Sequence, residues 1–306
     1  LNLGRLTAID VVTQLSGIVS AVAIAYVTQS VWALVFSGII SMFVQLWLFT
    51  WLLEGHRNSF GWEKPAAREL INFGKWIFVS TIAGFVAWQS DKLLIGAYLP
   101  LDQFGVYNIG FFLASFPILL GNVIIHKLLI PLYRERPPSE SHANFSALRK
   151  MRFTVTSALM GMAAVLAFIG APLVEILYDD RYLAAGGVVV LIACMQVPQI
   201  IAITYDQAAL AAGDSRRYFV LQALRAVFMV AGILAGLQIA GLIGALVGIG
   251  AAMLCAYPVV VWLARRMQAW DPLHDVLFAL AGGIMILIAL WLNWDAIEML
   301  SAMQAG

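Results

Sequence analysis

Nine apolar runs of membrane length, separated by connections whose basic charge alternates, constrain this chain more than any other feature. Read in windows of about 19 residues, they are A (Leu6–Val27), B (Val31–Leu53), C (Phe73–Leu99), D (Gly105–Leu132), E (Phe153–Tyr178), F (Leu183–Ala212), G (Tyr218–Ile239), H (Leu242–Ala264) and I (Val276–Trp294). Each is close to the ~20 residues a helix needs to cross a ~30 Å hydrocarbon core. The runs are continuous, whereas a β-barrel would show ten-residue segments of alternating polarity. The predicted fold class is therefore all-α, a polytopic membrane helix bundle of nine transmembrane helices. Composition agrees: the chain is 62% hydrophobic and 11% charged, against about 25% charged for soluble domains. So few polar groups cannot cover a soluble surface. A net charge of +1 carries no signal for a nucleic-acid partner. Cys194 and Cys255 lie in apolar runs and read as buried, inert thiols with no disulfide framework.

The connections set the orientation. Arg5 precedes A; Arg57, Lys64, Arg68 and Lys75 lie between B and C; Lys127, Arg134, Arg136, Arg149, Lys150 and Arg152 lie between D and E. Arg216 and Arg217 follow F, and Arg265 and Arg266 follow H. Fifteen of the eighteen basic residues thus fall on one side, which the positive-inside rule makes cytoplasmic. The expected cytoplasmic loops are 54–72 and 133–152, and the expected localisation is the bacterial inner membrane. The A–B turn (Thr28-Gln29-Ser30) and the G–H turn (Ala240-Gly241-Leu242) are short enough to make tight antiparallel hairpins. The sequence opens on LNLGRLTAID, with no Met and no cleavable signal pattern, and reads as a chain whose start lies further upstream.

No catalytic constellation emerges. His56 and His142 have no second ligand at metal spacing, no Cys-x-x-Cys occurs, and no Ser, His and Asp order suggests a nucleophile. Gly244, Gly248 and Gly250 lack the Lys-Ser or Lys-Thr of a phosphate loop. Gly244-x-x-x-Gly248 reads instead as a close contact between helices. The expectation is a protein that is not an enzyme, with no catalytic residues, no metal and no cofactor.

What remains is the polar set inside the spans, where a charge costs at least ~2.5–3.5 kcal/mol and is usually paired or functional. Span C reads FGKWIFVSTIAGFVAWQSDKLLIGAYLP from Phe73 to Pro100. Asp91 follows Ser80, Gly84 and Trp88 on one stripe, about 22 Å along the axis from Trp76. Lys92 points about 100° away and is not its natural partner. Asp91 either faces a water-filled cavity or finds a neighbouring donor; Lys92 either lines that cavity or snorkels outward. In F, Gln196, Gln199, Ile203 and Gln207 follow helical spacing, as a cavity wall or as inter-helix hydrogen bonds. Gly213-Asp214 reads as the stop and turn after F, which sets Asp206 and Arg225 at one depth and predicts their pairing. Asp10 and Gln14 are one turn apart in A. Pro117, Pro172, Pro198 and Pro258 mark possible bends in D, E, F and H.

Three local patterns carry a family resemblance. One is Gln89-Ser90-Asp91-Lys92-Leu93-Leu94-Ile95-Gly96 followed by Gly105-Val106-Tyr107. The second is Val31-Trp32-Ala33-Leu34-Val35. The third is Leu210-Ala211-Ala212-Gly213 followed by basic residues. In this order the chain resembles the Wzx-type polysaccharide biosynthesis proteins, flippases of lipid-linked oligosaccharides that share a superfamily with multidrug and toxin exporters.

The resemblance implies a two-lobed transporter fold, present here in part. Residues 1–53 would be the last two helices of a truncated first lobe, 54–72 a cytoplasmic linker, and 73–306 the second lobe. It implies flipping of an undecaprenyl-pyrophosphate-linked oligosaccharide from the cytoplasmic to the outer leaflet, for O-antigen, capsule or exopolysaccharide synthesis. The implied partners are that lipid-linked oligosaccharide, membrane lipid, and H+ or Na+ as coupling ion. The implied cavity set is Asp91, Lys92, Gln89, Asn108, Asn122, Gln196, Gln199 and Arg225, with Asp10 or Asp91 as coupling carboxylates. Lys75 and Lys127 are further cations for the diphosphate. Three alternatives stay open: a cation-coupled multidrug antiporter; a membrane-embedded glycan polymerase or glycosyltransferase, which the short outer loops disfavour; and a non-transporting scaffold, which would have no need of polar stripes in C and F.

Overall fold

The computed structural model describes residues 3–52 and 61–305, all helix, turn and connection, with no strand among the described residues. His56 and Arg57, and the stretch 53–60 around them, lie outside the described residues. Two compact units divide the chain, Leu1–Lys64 and Pro65–Gly306. Their boundary falls inside the stretch 54–72 expected to be a linker, and 64–72 is helix.

The first unit is a helical hairpin of α1 (Leu3–Thr28) and α2 (Trp32–Leu52). The chain reverses at Gln29, whose φ of 48° is the left-handed conformation that closes a tight turn. Ile9, Ala33 and Ser37 are buried. A methyl group on Gly17 would sit 2.5 Å from Ser41 Oγ, so small residues let the two backbones approach.

The second unit begins with α3 (Lys64–Tyr98), then α4 (Leu101–Ala114) and α5 (Phe116–Ile124). A π-helical turn over Ile125–Leu129 leads into α6 (Ile130–Glu135). Next come α7 (His142–Leu177), α8 (Ala185–Met195), α9 (Val197–Ala202) and the one-turn α10 (Ala208–Ala211). The chain ends with α11 (Ser215–Arg266), α12 (Pro272–Leu292) and α13 (Trp294–Ala305). Caps start the long helices: Ser141 Oγ accepts from Asn144 N at 3.1 Å, and Asp214 Oδ1 from Arg217 N at 3.0 Å.

Among the described residues, eight helices are long and apolar enough to cross a membrane. One of them, α11, is two arms. Ala240 and Gly241 leave helical geometry, with φ 54° and ψ −134° at Gly241, a region only glycine enters freely. The arms fold back so tightly that Gly236 abuts the carbonyl of Gly244, and a methyl group on Gly232 would lie 2.5 Å from Gly248 O. This reversal restores the nine runs and places the expected Gly244-x-x-x-Gly248 contact within the G–H hairpin. The chain is thus a multi-pass, all-α membrane bundle.

Several boundaries moved. α3 and α7 begin at Lys64 and His142, well before the apolar runs they carry. Much of 54–72 and 133–152 is therefore helix, not loop. At about 50 Å for 35 residues, α3 exceeds the hydrocarbon thickness, because its first turns (KPAARELIN) are polar enough for the interface. Run D is broken at Ser115 and run F at Gln196, each two residues before a proline, Pro117 and Pro198. Pro172 sits inside α7 and Pro258 inside the second arm of α11, neither breaking its helix. The glutamine stripe of F does not persist: α9 ends at Ala202, and Ile203 and Gln207 are buried in the turn that follows. Cys194 is buried as expected, but Cys255 is exposed on α11, because its azimuth turns away from the bundle.

α8 is the hub of this unit, with every residue from Ala185 to Cys194 buried. α4, α7, α11, α12 and α13 surround it. Gly186 and Gly187 permit this, since a methyl group there would meet the backbones of Ala171 and Ala296 at 2.9 Å and 2.5 Å. On α12, Leu280, Ile284, Leu287 and Trp291 keep an exposed apolar stripe, the face a membrane helix turns to lipid.

Candidate functional site

A cavity of about 530 Å³ lies within the second unit, in the size range of ligand sites. Its walls come from α3, α4–α5, the break between α8 and α9, and both arms of α11. α3 touches its neighbours mainly through side chains: Trp76 meets Phe219 with ring centroids 5.6 Å apart, and Phe104 fills the notch at Gly96. Such contacts hold the α3 backbone away from the bundle, and the space left is the cavity.

Asp91 is 6% exposed and lies on the inner stripe Ser80, Gly84, Ala87 and Asp91. Tyr107 Oη on α4 donates to its Oδ2 at 2.5 Å, while Oδ1 is buried without a partner. Lys92 is exposed and lines the cavity, its ammonium 4.9 Å from the centre of the Phe111 ring, a cation–π geometry. The two adjacent charges therefore take different partners, as their 100° separation requires. Trp88, on the expected polar stripe, is half exposed and forms part of the cavity wall beside Gln89.

The opposite wall is built on the two helix breaks. Proline has no amide hydrogen, so Pro117 and Pro198 each leave a carbonyl one turn earlier without its usual partner. Gln196, at one break, donates from Nε2 to Ala114 O at 2.8 Å beside the other. Its Oε1 is buried and unpartnered. Gln199, Asn108 and Asn122 complete the amide lining, with Phe112, Met195, Met229 and Met253 as apolar patches. Seven of the eight residues expected at a cavity, Asp91, Lys92, Gln89, Asn108, Asn122, Gln196 and Gln199, thus line one space.

Arg225 does not line it. Its Nη1 and Nη2 bond both oxygens of Asp206 at 2.6 Å each, and Arg225 is 7% exposed. The predicted pairing across the F–G turn is present, and Gly213, with φ 76°, makes that turn. A guanidinium already clamped by two charge-assisted bonds has little left for a ligand. Asp10 lies half-buried on α1 in the other unit, and Gln14 is exposed there. Lys75 and Lys127 are exposed, and Lys75 Nζ bonds Asn72 Oδ1 at 3.1 Å.

A second buried polar cluster, absent from the sequence reading, ties together α6, α7, the 203–207 turn, the second arm of α11 and the start of α12. Asp275 is its centre. Tyr205 Oη donates to Oδ1 at 2.8 Å; Tyr257 Oη and Trp270 Nε1 donate to Oδ2 at 2.5 Å and 3.0 Å. His274 Nδ1 lies 2.8 Å from Oδ1, and its Nε2 lies 2.9 Å from Thr156 Oγ1. Arg152, counted by sequence among loop cations, is 1% exposed. Its Nη2 donates to Tyr133 Oη at 2.8 Å and its guanidinium lies 4.1 Å from the centre of the Tyr205 ring. Arg149 Nε pairs with Asp271 at 2.9 Å. Asp271-Pro272 is a helix-start signature that could have flagged this end of α12. Nothing in periodicity links it to Tyr133 or Arg152. No metal-binding group occurs among the described residues.

The family described as polysaccharide biosynthesis protein matches residues 1–187. The teichuronic acid biosynthesis protein TuaB of Bacillus subtilis (strain 168) is 22% identical over 147 residues, 47% of this chain and 29% of that protein. The matched region thus spans less than a third of that relative's length. No solved structure gives a significant match.

Proposed function

The chain belongs to the polysaccharide biosynthesis protein family, and on that premise we propose that it moves a lipid-linked oligosaccharide across the bacterial inner membrane, from the cytoplasmic to the outer leaflet. In this reading residues 1–53 end one lobe and residues 73–306 form the next. The carrier chain stays in the bilayer while the headgroup crosses through protein. The observation that carries the reading is the cavity: five amides and a charged pair gathered around one space, among apolar lining residues. Polar groups at such depth are costly unless they face one another or water. A headgroup rich in hydroxyls needs a lining that replaces its hydration, and these side chains supply donors and acceptors for that. No bond is made or broken in such a step, so the chain acts as a transporter and not an enzyme.

The breaks at Ser115 and Gln196 supply bend points in the cavity wall itself, where a helix can change angle without stripping further backbone bonds. Asp91, which borders the cavity, is the better-placed coupling carboxylate for H+ or Na+; Asp10 on α1 is the other. The test is transbilayer movement of a fluorescent polyprenyl-diphosphate-linked oligosaccharide in proteoliposomes, read by an impermeant quencher. Movement above that of protein-free vesicles, lowered by Gln199→Leu, is the expected result. Equal rates with and without protein would sink the proposal.

A further inference from the structure

The second arm of α11 carries a hollow of about 330 Å³, separate from the cavity described above. Its lining is Pro258, Val261, Trp262, Arg265 and Arg266. These are spaced i, i+3, i+4, i+7 and i+8, so all five lie on one face of the helix. At about 100° per residue, that face is roughly opposite the one Leu246, Ile249 and Met253 turn to the cavity. Ala252, Ala256, Val260 and Leu263 on the inner side are buried. Ala251, Leu254 and Cys255 continue the outer face and are exposed. The hollow therefore opens outward, where a membrane helix meets lipid.

Arg265 and Arg266 close it at the basic end of the helix, about 10 Å along the axis from Pro258. The acids that follow them in sequence are already engaged. Asp271 pairs with Arg149 at 2.9 Å, and Asp275 takes four donors. The Arg265 guanidinium lies 4.0 Å from the centre of the Trp270 ring, and Trp270 Nε1 donates to Asp275 at 3.0 Å. Arg265 is thus placed by the buried cluster without its charge being neutralised. Around this connection Arg149, Arg152, Arg265 and Arg266 stand against Asp271 and Asp275, four positive charges to two negative. Trp262, 41% exposed, adds the amphipathic ring that sits at headgroup level in membrane proteins.

We propose that this hollow is a docking site for an anionic phospholipid of the adjacent leaflet. Its phosphate sits between Arg265 and Arg266, and an acyl chain lies along Trp262, Val261, Pro258 and Leu254. Charge complementarity selects the occupant. A zwitterionic lipid carries its own cation and gains little from the surplus of arginines. A free phosphate matches the charge but leaves the apolar part of the hollow unfilled. The inference stands apart from the transport reading, since this face is turned away from the cavity.

Cys255 supplies the probe, being exposed on this face while Cys194 is buried. The full chain, carrying a fluorophore on Cys255, is placed in dioleoylphosphatidylcholine vesicles. Phosphatidylglycerol or phosphatidylcholine with brominated chains is then added as a quencher. An arginine near an anionic lipid contributes about fivefold in affinity, so the brominated phosphatidylglycerol is expected to be preferred by about twentyfold. Arg265→Gln with Arg266→Gln should bring the two lipids within about twofold of each other. Should that variant fail to fold, Arg266→Gln alone keeps the Arg265 stack on Trp270 and should lower the preference about fivefold. Inorganic phosphate should not displace the lipid. Equal quenching by both lipids, or a preference that survives the arginine changes, overturns the proposal. So does displacement by inorganic phosphate, which would mark a plain anion site. Displacement by an equimolar polyprenyl diphosphate would assign the hollow to the lipid carrier instead. No quenching by either lipid would show the face covered by protein, and would equally overturn it.

Discussion

The second unit holds two buried polar assemblies that differ in one respect. Around Asp275 the carboxylate is fully engaged: its two oxygens take four donors. Around Asp91 it is not. One carboxylate oxygen has Tyr107, the other has nothing, and the amides face about 530 Å³ of open volume. Both assemblies bury polar atoms among apolar helices, so burial and residue type alone do not separate a fastener from a site. What separates them is whether the hydrogen-bonding capacity is spent inside the protein.

The Asp206–Arg225 pair gives the largest effect by which that comparison can be tested, because two opposite charges are buried against each other. Arg225→Met should destabilise the protein by about 3–5 kcal/mol, since Asp206 is left as an uncompensated buried charge. Replacing both, Asp206→Leu with Arg225→Met, should recover most of the loss. Thermal unfolding in detergent reads both. A single variant as stable as the parent would show that the pair fastens nothing.

Asp275→Asn comes next. It keeps the shape but cannot accept from every present donor, and should cost about 1–3 kcal/mol in the same measurement. Gln196→Leu, in the cavity wall, loses one bond to Ala114 O and should cost about 1 kcal/mol. It should also lower transport, which Asp275→Asn at matched stability should not. Asn122→Leu should be smallest, within about 0.5 kcal/mol, yet should reduce transport as much as Gln196→Leu. If Asn122→Leu destabilised as strongly as Asp275→Asn, the distinction between fastener and site would collapse.

Much of the candidate site was legible before any coordinates. Gln89, Asp91, Lys92, Asn108, Asn122, Gln196 and Gln199 stand out because each is polar within an apolar run, and a polar group there needs a reason. Tyr107 was not legible as the partner of Asp91, for a tyrosine in a span is unexceptional and the two lie on different helices. Arg152 was read as a loop cation because it sits at the edge of an apolar run; the early start of α7 and the rings of Tyr133 and Tyr205 enclose it instead.

The sequence by itself determined what depends on position along the membrane normal. That covers the nine runs, the reversals at Gln29 and Gly241, the stop at Gly213, and the common depth of Asp206 and Arg225. A helix rises about 1.5 Å per residue between interfaces some 30 Å apart, so hydropathy and basic charge translate directly into depth. Only the tertiary structure decided what depends on position within the membrane plane. Cys255 turned outward, α8 became the hub, α3 stood away from its neighbours, and seven scattered polar residues came to share one space. Those choices belong to side-chain packing between helices, where small residues permit contact and large ones prevent it, and no one-dimensional pattern encodes which faces meet.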